Sequence, residues 1–304
     1  MGSKDMPPLD YSFWPIFMKS QLRHKAQYPP KDTNLSGKVA IITRGNQGLG
    51  FESARQFLSF KLSHLIITVR SQEKGKAAAS KLQAEYPKAT IEVWLLDMCS
   101  YDSVQTFARR ADRELQRLDI AILNAGRSKA RLGIVPSTGH DEIVQVNYLS
   151  TILLGILLLP ILKSRSPPGT PGRLSIVSSG TTLFTKFSNS QQSPLLKSFD
   201  NVKTAPALGI ETYGASKMLG QMFLYKLVDY IASEDVVVNL VDPGMTKGTG
   251  LNRDLPKIVA VSAAPVLSAI SRKVSDGASV YLDATLAKGN ESHGCFIMDW
   301  EIRP

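Results

Sequence analysis

From Gly37 onward, short apolar runs of β-prone residues alternate with stretches of helical pattern, and this alternation limits the folds open to the chain. The runs are Val39–Thr43 (VAIIT), Leu65–Val69 (LIITV), Ile91–Leu96 (IEVWLL), Ile120–Leu123 (IAIL), Leu174–Val177 (LSIV) and Val236–Val241 (VVVNLV). Runs so nearly continuous in apolar side chains suit strands of a parallel sheet buried on both faces. Helical patterns lie between them near 49–60, 73–85, 101–116, 141–163 and 213–232. Strand and helix in strict turn predict an α/β fold: a single doubly wound parallel sheet of about seven strands, flanked by helices, with right-handed crossovers. The 304 residues are accommodated by one such domain, 36–304, preceded by an extension over 1–35.

That extension carries Pro7, Pro8, Pro29 and Pro30 around an aromatic and basic stretch (Phe13, Trp14, Phe17, Lys19, Arg23, Lys25). A short helix from about Pro15 to Lys25 is expected, since proline is well placed in a first turn. It could lie on a membrane surface; packing on its own domain is the expected outcome. The alternation lapses at 180–212, rich in Ser, Asn, Gln, Thr and Pro, and at 244–272, where Gly and Pro mix with short apolar pieces. Both segments follow strands, so both should emerge at the carboxyl edge of the sheet, where ligands of open α/β folds bind. They are candidates for a substrate pocket or lid, and equally for surface insertions.

The longest apolar run, Tyr148–Leu162, is shorter than the roughly 20 residues of a bilayer span, and Pro160 interrupts it. A buried helix is expected there, with no membrane span. Charge is +10, from 36 Lys+Arg against 26 Asp+Glu. The basic residues are scattered and form no nucleic-acid arm, so the excess suits an anionic small ligand such as a phosphorylated cofactor. Two cysteines, Cys99 and Cys295, are too few for a disulfide framework, and nothing near the start reads as a secretory signal. A thiol-reduced, cytoplasmic enzyme is the expectation. His24, His64, His140 and His293 lack metal-ligand spacing, and no Gly-x-Ser-x-Gly elbow marks a hydrolase.

The first strand runs straight into Arg44-Gly45-Asn46-Gln47-Gly48-Leu49-Gly50, and a helix follows. Glycines there let backbone approach a pyrophosphate, and the helix amino end offers free N–H groups and a positive dipole. Twenty residues past Gly50, at the end of the second strand, an NAD-binding fold commonly places an acid for the ribose hydroxyls; here the residue is Arg70. A guanidinium can take a 2′-phosphate in a bidentate contact, so the sequence leans toward NADP(H) over NAD(H).

Tyr213 and Lys217, in Tyr213-Gly214-Ala215-Ser216-Lys217, stand one helical turn apart on the same face. A phenol is a poor proton donor or acceptor at neutral pH, and a nearby ammonium that stabilises its anion makes it usable as a general acid or base. Ser178 and Ser179 end the strand at 174–177 and bring a hydroxyl to the same edge.

These residues resemble the short-chain dehydrogenase/reductase family. The matches are the Gly-rich turn at 43–50, Asp97, Asn124-Ala125-Gly126, Asn147, Ser179, the Tyr213…Lys217 pair and Asp242-Pro243-Gly244, in the family's order over roughly 37–300. EVWLLD, SYDSVQTFARRA, LDIAILNAG and ESHG look closer still to a retinol-dehydrogenase-like branch common in fungal secondary metabolism. The resemblance implies a Rossmann-like domain and an NADP(H)-dependent oxidoreductase acting on a lipophilic biosynthetic intermediate. It implies that Tyr213 exchanges the hydroxyl proton, Ser179 polarises the carbonyl, Lys217 lowers the tyrosine pKa and bonds the nicotinamide ribose, and Asn147 holds a relaying water. Asp97 would meet the adenine, Asn124, Ala125 and Gly126 would back the adenosine, and Pro243, Gly244 and Thr246 would hold the nicotinamide. It also implies a homodimer or homotetramer through helices near 141–163 and 213–232. The 34-residue separation of Ser179 and Tyr213 is long for compact members and matches that branch.

One departure stands out. The family motif begins Thr-Gly, whereas Thr43 is followed by Arg44. If that position needs positive φ, a side chain costs about 1–2 kcal/mol. Gly45 could instead absorb the turn, or Arg44 could join Arg70 on the 2′-phosphate. The expectation is that Arg44 weakens or retunes cofactor binding without abolishing it. A crowded cofactor loop also leaves open a non-redox enzyme of the same fold catalysing isomerisation, cyclisation or dehydration.

Overall fold

A computed structural model describes residues 3–9, 13–23, 25–249 and 269–304; much of the 244–272 segment, and His24, lie outside the described residues. Eight strands form one sheet: β1 (Val39–Thr43), β2 (His64–Val69), β3 (Thr90–Leu95), β4 (Ile120–Leu123), β5 (Gly172–Val177), β6 (Val236–Asp242), β7 (Phe296–Met298) and β8 (Glu301–Arg303). Their order is β3-β2-β1-β4-β5-β6-β7-β8, parallel except for β8, which turns back antiparallel on β7. The sheet therefore has one strand more than the sequence suggests. β8 has only three residues, two of them charged, and no apolar run announces it.

Seven helices matter to the site: α1 (Phe13–Leu22), α2 (Gly48–Ser59), α3 (Gln72–Glu85), α4 (Tyr101–Glu114), α5 (Glu142–Arg165), α6 (Gly209–Leu227) and α7 (Val274–Leu282). Alternate residues of each strand feed opposite layers. Ile41, Ile66, Ala121, Leu174 and Val238 pack beneath α4 and α5, while Ala40, Ile42, Ile67, Ile120 and Val241 pack beneath α2, α3 and α7. Both layers are apolar, which is why the strands read as continuous hydrophobic runs. The exception inside β6, Asn239, is buried but satisfied: Ser175 Oγ donates to its Oδ1 at 2.6 Å, and its Nδ2 donates to the Ala284 carbonyl at 3.1 Å.

The apolar run is α5, whose Leu154, Leu158 and Leu162 are wholly buried in the core. Pro160 does not end it. The bond it removes is the one to the Ile156 carbonyl, and Ile156 is solvent-exposed, so the freed oxygen can be hydrated. Residues 180–212 are packed: Phe187 and Phe199 join Val144, Ala215 and Leu219 in a cluster of their own. That cluster seats the insertion against the starts of α5 and α6, beside the sheet's carboxyl edge.

Candidate active site

Strand order reverses between β1 and β4, the place where an open α/β sheet leaves a crevice. Asn124 stitches the two strand ends together, its Nδ2 donating to the Thr43 carbonyl at 3.0 Å while Ala125 N donates to Thr43 Oγ1 at 2.8 Å. Buried Tyr281 of α7 fixes the amide by donating to Asn124 Oδ1 at 3.0 Å. Gly50 then lies so close that a Cβ there would come within 2.5 Å of Asn124 Nδ2. Only glycine permits the first turn of α2 to dock on this corner. Asn124 thus acts on the glycine-rich turn through its neighbours.

Arg44 itself takes the left-handed conformation, φ 53°, so Gly45 does not absorb the turn. Gly45 instead packs flat on Ile67, where a Cβ would come within 2.7 Å of Ile67 Cγ2. The Arg44 side chain lines the same cavity as Arg70. Its Nη1 donates to the Gly126 carbonyl at 2.6 Å, and the Gln47 carboxamide oxygen, oriented to satisfy both groups, accepts from Arg44 Nη2 at 3.0 Å.

Two cavities meet at this guanidinium. One, of about 200 Å³, is lined by Arg44, Gln47, Arg70, Ser71, Lys74, Asp97, Ala125, Gly126 and Arg127. The other, of about 600 Å³, is lined by Arg44, Leu49, Asn124, Gly126, Ser179, Tyr213, Lys217, Pro243, Gly244 and Thr246, and by apolar side chains beyond them. Ligand clefts commonly enclose about 300–1,000 Å³. Gly48 is at the amino end of α2 with φ 56°. Of the residues expected to hold a dinucleotide, Gly45, Gly48 and Gly50 lie in the turn beside these two adjoining cavities, and the others line one cavity or the other.

Tyr213 and Lys217 project from α6 into the larger cavity, and Ser179 faces them from the end of β5, its Oγ accepting from Thr181 N at 3.2 Å. Tyr213 is buried, and burial pushes its phenol up to about 12, opposed by its hydrogen bond with Ser179 and reinforced by the charge of Asp242. Lys217 is buried as well, and loss of water brings its amine down to about 8. Its Nζ donates to the Val177 carbonyl at 2.7 Å and lies 5.8 Å from the Tyr213 ring. Desolvation is the largest influence on this phenol and holds it above its ordinary range, protonated at neutral pH.

Asn147 lies one layer beneath the cavity wall. It stands in a π turn of α5, Gln145–Ser150, a local widening that often marks functional helices. Its Oδ1 accepts from Arg127 N at 2.7 Å, and its Nδ2 donates to the Arg127 carbonyl at 2.9 Å and to Ser216 Oγ at 3.0 Å. A Cβ on Gly126 would sit 3.6 Å from Asn147 Oδ1 and 3.7 Å from Lys217 Nζ, so that glycine separates the asparagine from the amine.

The short chain dehydrogenase family model matches residues 38–191. A short chain dehydrogenase/reductase, mfmJ, of Annulohypoxylon moriforme is 58% identical over 305 residues, covering 100% of this chain and 88% of that protein. The chain belongs to the short-chain dehydrogenase/reductase family. Further relatives of this oxidoreductase include the short chain dehydrogenases virL of Hypocrea virens (44% identical, 90% of this chain and 80% of that protein) and opdN of Penicillium oxalicum (42%, 99% and 98%). Among solved structures, a short chain dehydrogenase from Shigella flexneri complexed with NADP superposes with a TM-score of 0.63 at 19% identity, over 88% of this chain and 98% of that one. RhlG of Pseudomonas aeruginosa with NADP gives 0.62 at 20%, over 88% and 96%. At those identities the likeness shows the fold.

A nicotinamide dinucleotide fits what this dehydrogenase/reductase presents. Beside the larger of the two adjoining cavities, Ser178 Oγ is buried without a hydrogen-bond partner among the described residues. Lys74, in the first turn of α3, adds a second cation beside Arg70. The sequence alone does not single out Lys74 or Tyr281, and it offers Ser178 and Asp242 only as neighbours of Ser179 and Pro243. Lys74 had a signal, two residues into the helix after Arg70; the other three gain their positions only when β5, β6 and α7 meet.

Proposed function

We propose that this chain is an NADP(H)-dependent oxidoreductase that interconverts a ketone and a secondary alcohol on a lipophilic, polyketide- or terpenoid-like biosynthetic intermediate. The observation that carries the reading is the convergence of Ser179, Tyr213 and Lys217 on one cavity, which adjoins the smaller one lined by Arg70 and Asp97. Bound NADPH would supply the hydride. The chain supplies the proton and holds the oxygen. In reduction, Tyr213, protonated at neutral pH, gives its phenolic proton to the carbonyl oxygen as that oxygen gains charge. Ser179 donates to the same oxygen and steadies it. Lys217 uses one hydrogen on the Val177 carbonyl and keeps others for the phenolate and a ribose hydroxyl. Asn147 is assigned the support of this wall and of a water relay to Lys217. Oxidation runs the same steps in reverse.

NADP(H) is preferred over NAD(H) on the strength of Arg70 and Lys74 in the smaller cavity. The exposed side chains of Ile156 on α5 and of Met222 and Tyr225 on α6 are the surface through which a homodimer or homotetramer would form. Arg44, bridged to Gly126 across the crevice, favours a second reading in which the same pocket performs a non-redox isomerisation, cyclisation or dehydration. One experiment separates the two. Supplied with NADPH and carbonyl-containing metabolites, the purified protein should consume NADPH in equal amount to alcohol formed; product without NADPH consumption selects the second reading.

A further inference from the structure

The helix ahead of the first strand has no part in the chemistry above, yet it forms a wall of the same chamber. Trp14, Ile16 and Phe17 of α1 line the 600 Å³ cavity that Ser179 and Tyr213 line. Trp14 and Phe17, three residues apart on one helix face, stand edge to face with ring centres 6.0 Å apart. Leu183 and Phe184 of the 180–212 insertion and Ile210 at the start of α6 also line the chamber. Among the described residues its charged lining side chains are Arg44, Lys217 and Asp242, and α1 contributes none.

The helix is held in place by a buried charge cluster. Arg272 Nη2 donates to the Ser20 carbonyl at 2.8 Å and to Ser20 Oγ at 2.9 Å, and it pairs with Asp299. Ser20 Oγ in turn donates to Asp299 Oδ1 at 2.7 Å. Arg272 Nη1 donates to the Pro243 carbonyl at 3.3 Å. Gly244 takes φ 69°, and a Cβ there would come within 2.7 Å of the guanidinium carbon, so only glycine lets the loop pass. An ion pair withdrawn from water persists only where further hydrogen bonds satisfy it. Here those bonds go to α1 on one side and to the loop after β6 on the other, so the wall and the loop share one anchor.

We propose that α1 is the substrate-specificity wall of this enzyme: Trp14, Ile16 and Phe17 receive the part of the substrate remote from the reacting carbon and select a flat, uncharged, apolar body. The proposal rests on the oxidoreductase reading and adds a role for the extension. A fused-ring ketone offers α1 more apolar surface than a single small ring held by the same carbonyl. Removing apolar contacts of this size changes discrimination by about tenfold or more.

The test uses the full chain saturated with NADP⁺ and two neutral probes, 2-tetralone and cyclohexanone, titrated by calorimetry. Wild type should bind 2-tetralone the more tightly. The Trp14→Ala/Phe17→Ala double variant should cut that preference about tenfold or more, with NADPH affinity and thermal midpoint retained. Should the double variant fold poorly, Ile16→Trp, which fills the chamber, should bind 2-tetralone more weakly while still binding NADPH. Unchanged preference in variants that bind NADPH overturns the wall, as does a wild type that binds NADPH and does not prefer 2-tetralone. Failure of wild type to bind NADPH overturns the oxidoreductase reading beneath it.

Discussion

Arg44 Nη1 meets the Gly126 carbonyl oxygen at 2.6 Å, and this one contact stands on the boundary between the adenosine-side cavity and the chamber of Ser179 and Tyr213. The motif position usually given to glycine here carries a long cation, held in the conformation that glycine would adopt freely. Its flexible guanidinium must yield or turn onto the pyrophosphate for a dinucleotide to span both cavities.

Arg44→Gly should therefore alter NADPH binding without abolishing it. The substitution relieves about 1–2 kcal/mol of left-handed strain and removes the hydrogen bonds to Gly126 and Gln47, worth about 0.5–1.5 kcal/mol each, so the two effects oppose and stability should move by no more than about 2 kcal/mol. NADPH fluorescence titration of both proteins, beside thermal melts, checks this. No binding to either protein would end the cofactor assignment.

Arg70 and Lys74 line the smaller cavity with Asp97, and a 2′-phosphate there would meet two cations. Arg70→Ala should raise the dissociation constant for NADPH about ten- to a hundredfold, the value of a charge-assisted bond, and leave that for NADH nearly unchanged. Equal losses for both dinucleotides would show that Arg70 does not read the phosphate.

Lys217 gives a pH signature. Its buried amine lies at about 8, below the ordinary 10.5. Between those values the unfolded chain holds a proton that the folded chain has lost, so folding stability gains with rising pH, by up to about 1.4 kcal/mol per unit. Below pH 8 the cost of burying the ammonium is present in full. Tyr213, near 12, and Cys99, near 11, shift in the opposite sense and pull stability down above their ordinary values of 10.0 and 9.0. The difference between wild type and Lys217→Met isolates the lysine: the variant should lack the rise that begins near pH 8 in urea-unfolding midpoints. Parallel profiles would mean that the amine is not desolvated.

The core strands were legible in the sequence because a sheet buried on both faces needs apolar residues at every position, as in β1 and β6. β8 was not, since three edge residues carry no pattern. The pairing of Tyr213 with Lys217 follows from helix geometry alone, and so was readable. What the lysine does there was not, because the direction of its Nζ depends on where the Val177 carbonyl ends up. Likewise a short helix packed on its own domain is legible around Trp14 and Phe17, but the place where it packs is not: the Arg272–Asp299 cluster brings α1 onto the chamber, a contact between segments more than 250 residues apart.

The account turns on the Tyr213 phenol as the group that exchanges a proton with the substrate oxygen. Tyr213→Phe keeps the ring and its packing and removes only the hydroxyl. Turnover of NADPH with a carbonyl substrate, measured beside NADPH affinity and thermal midpoint, should fall by about 100-fold or more with both of the latter retained; a Tyr213→Phe protein that binds NADPH and turns over at the wild-type rate would contradict it.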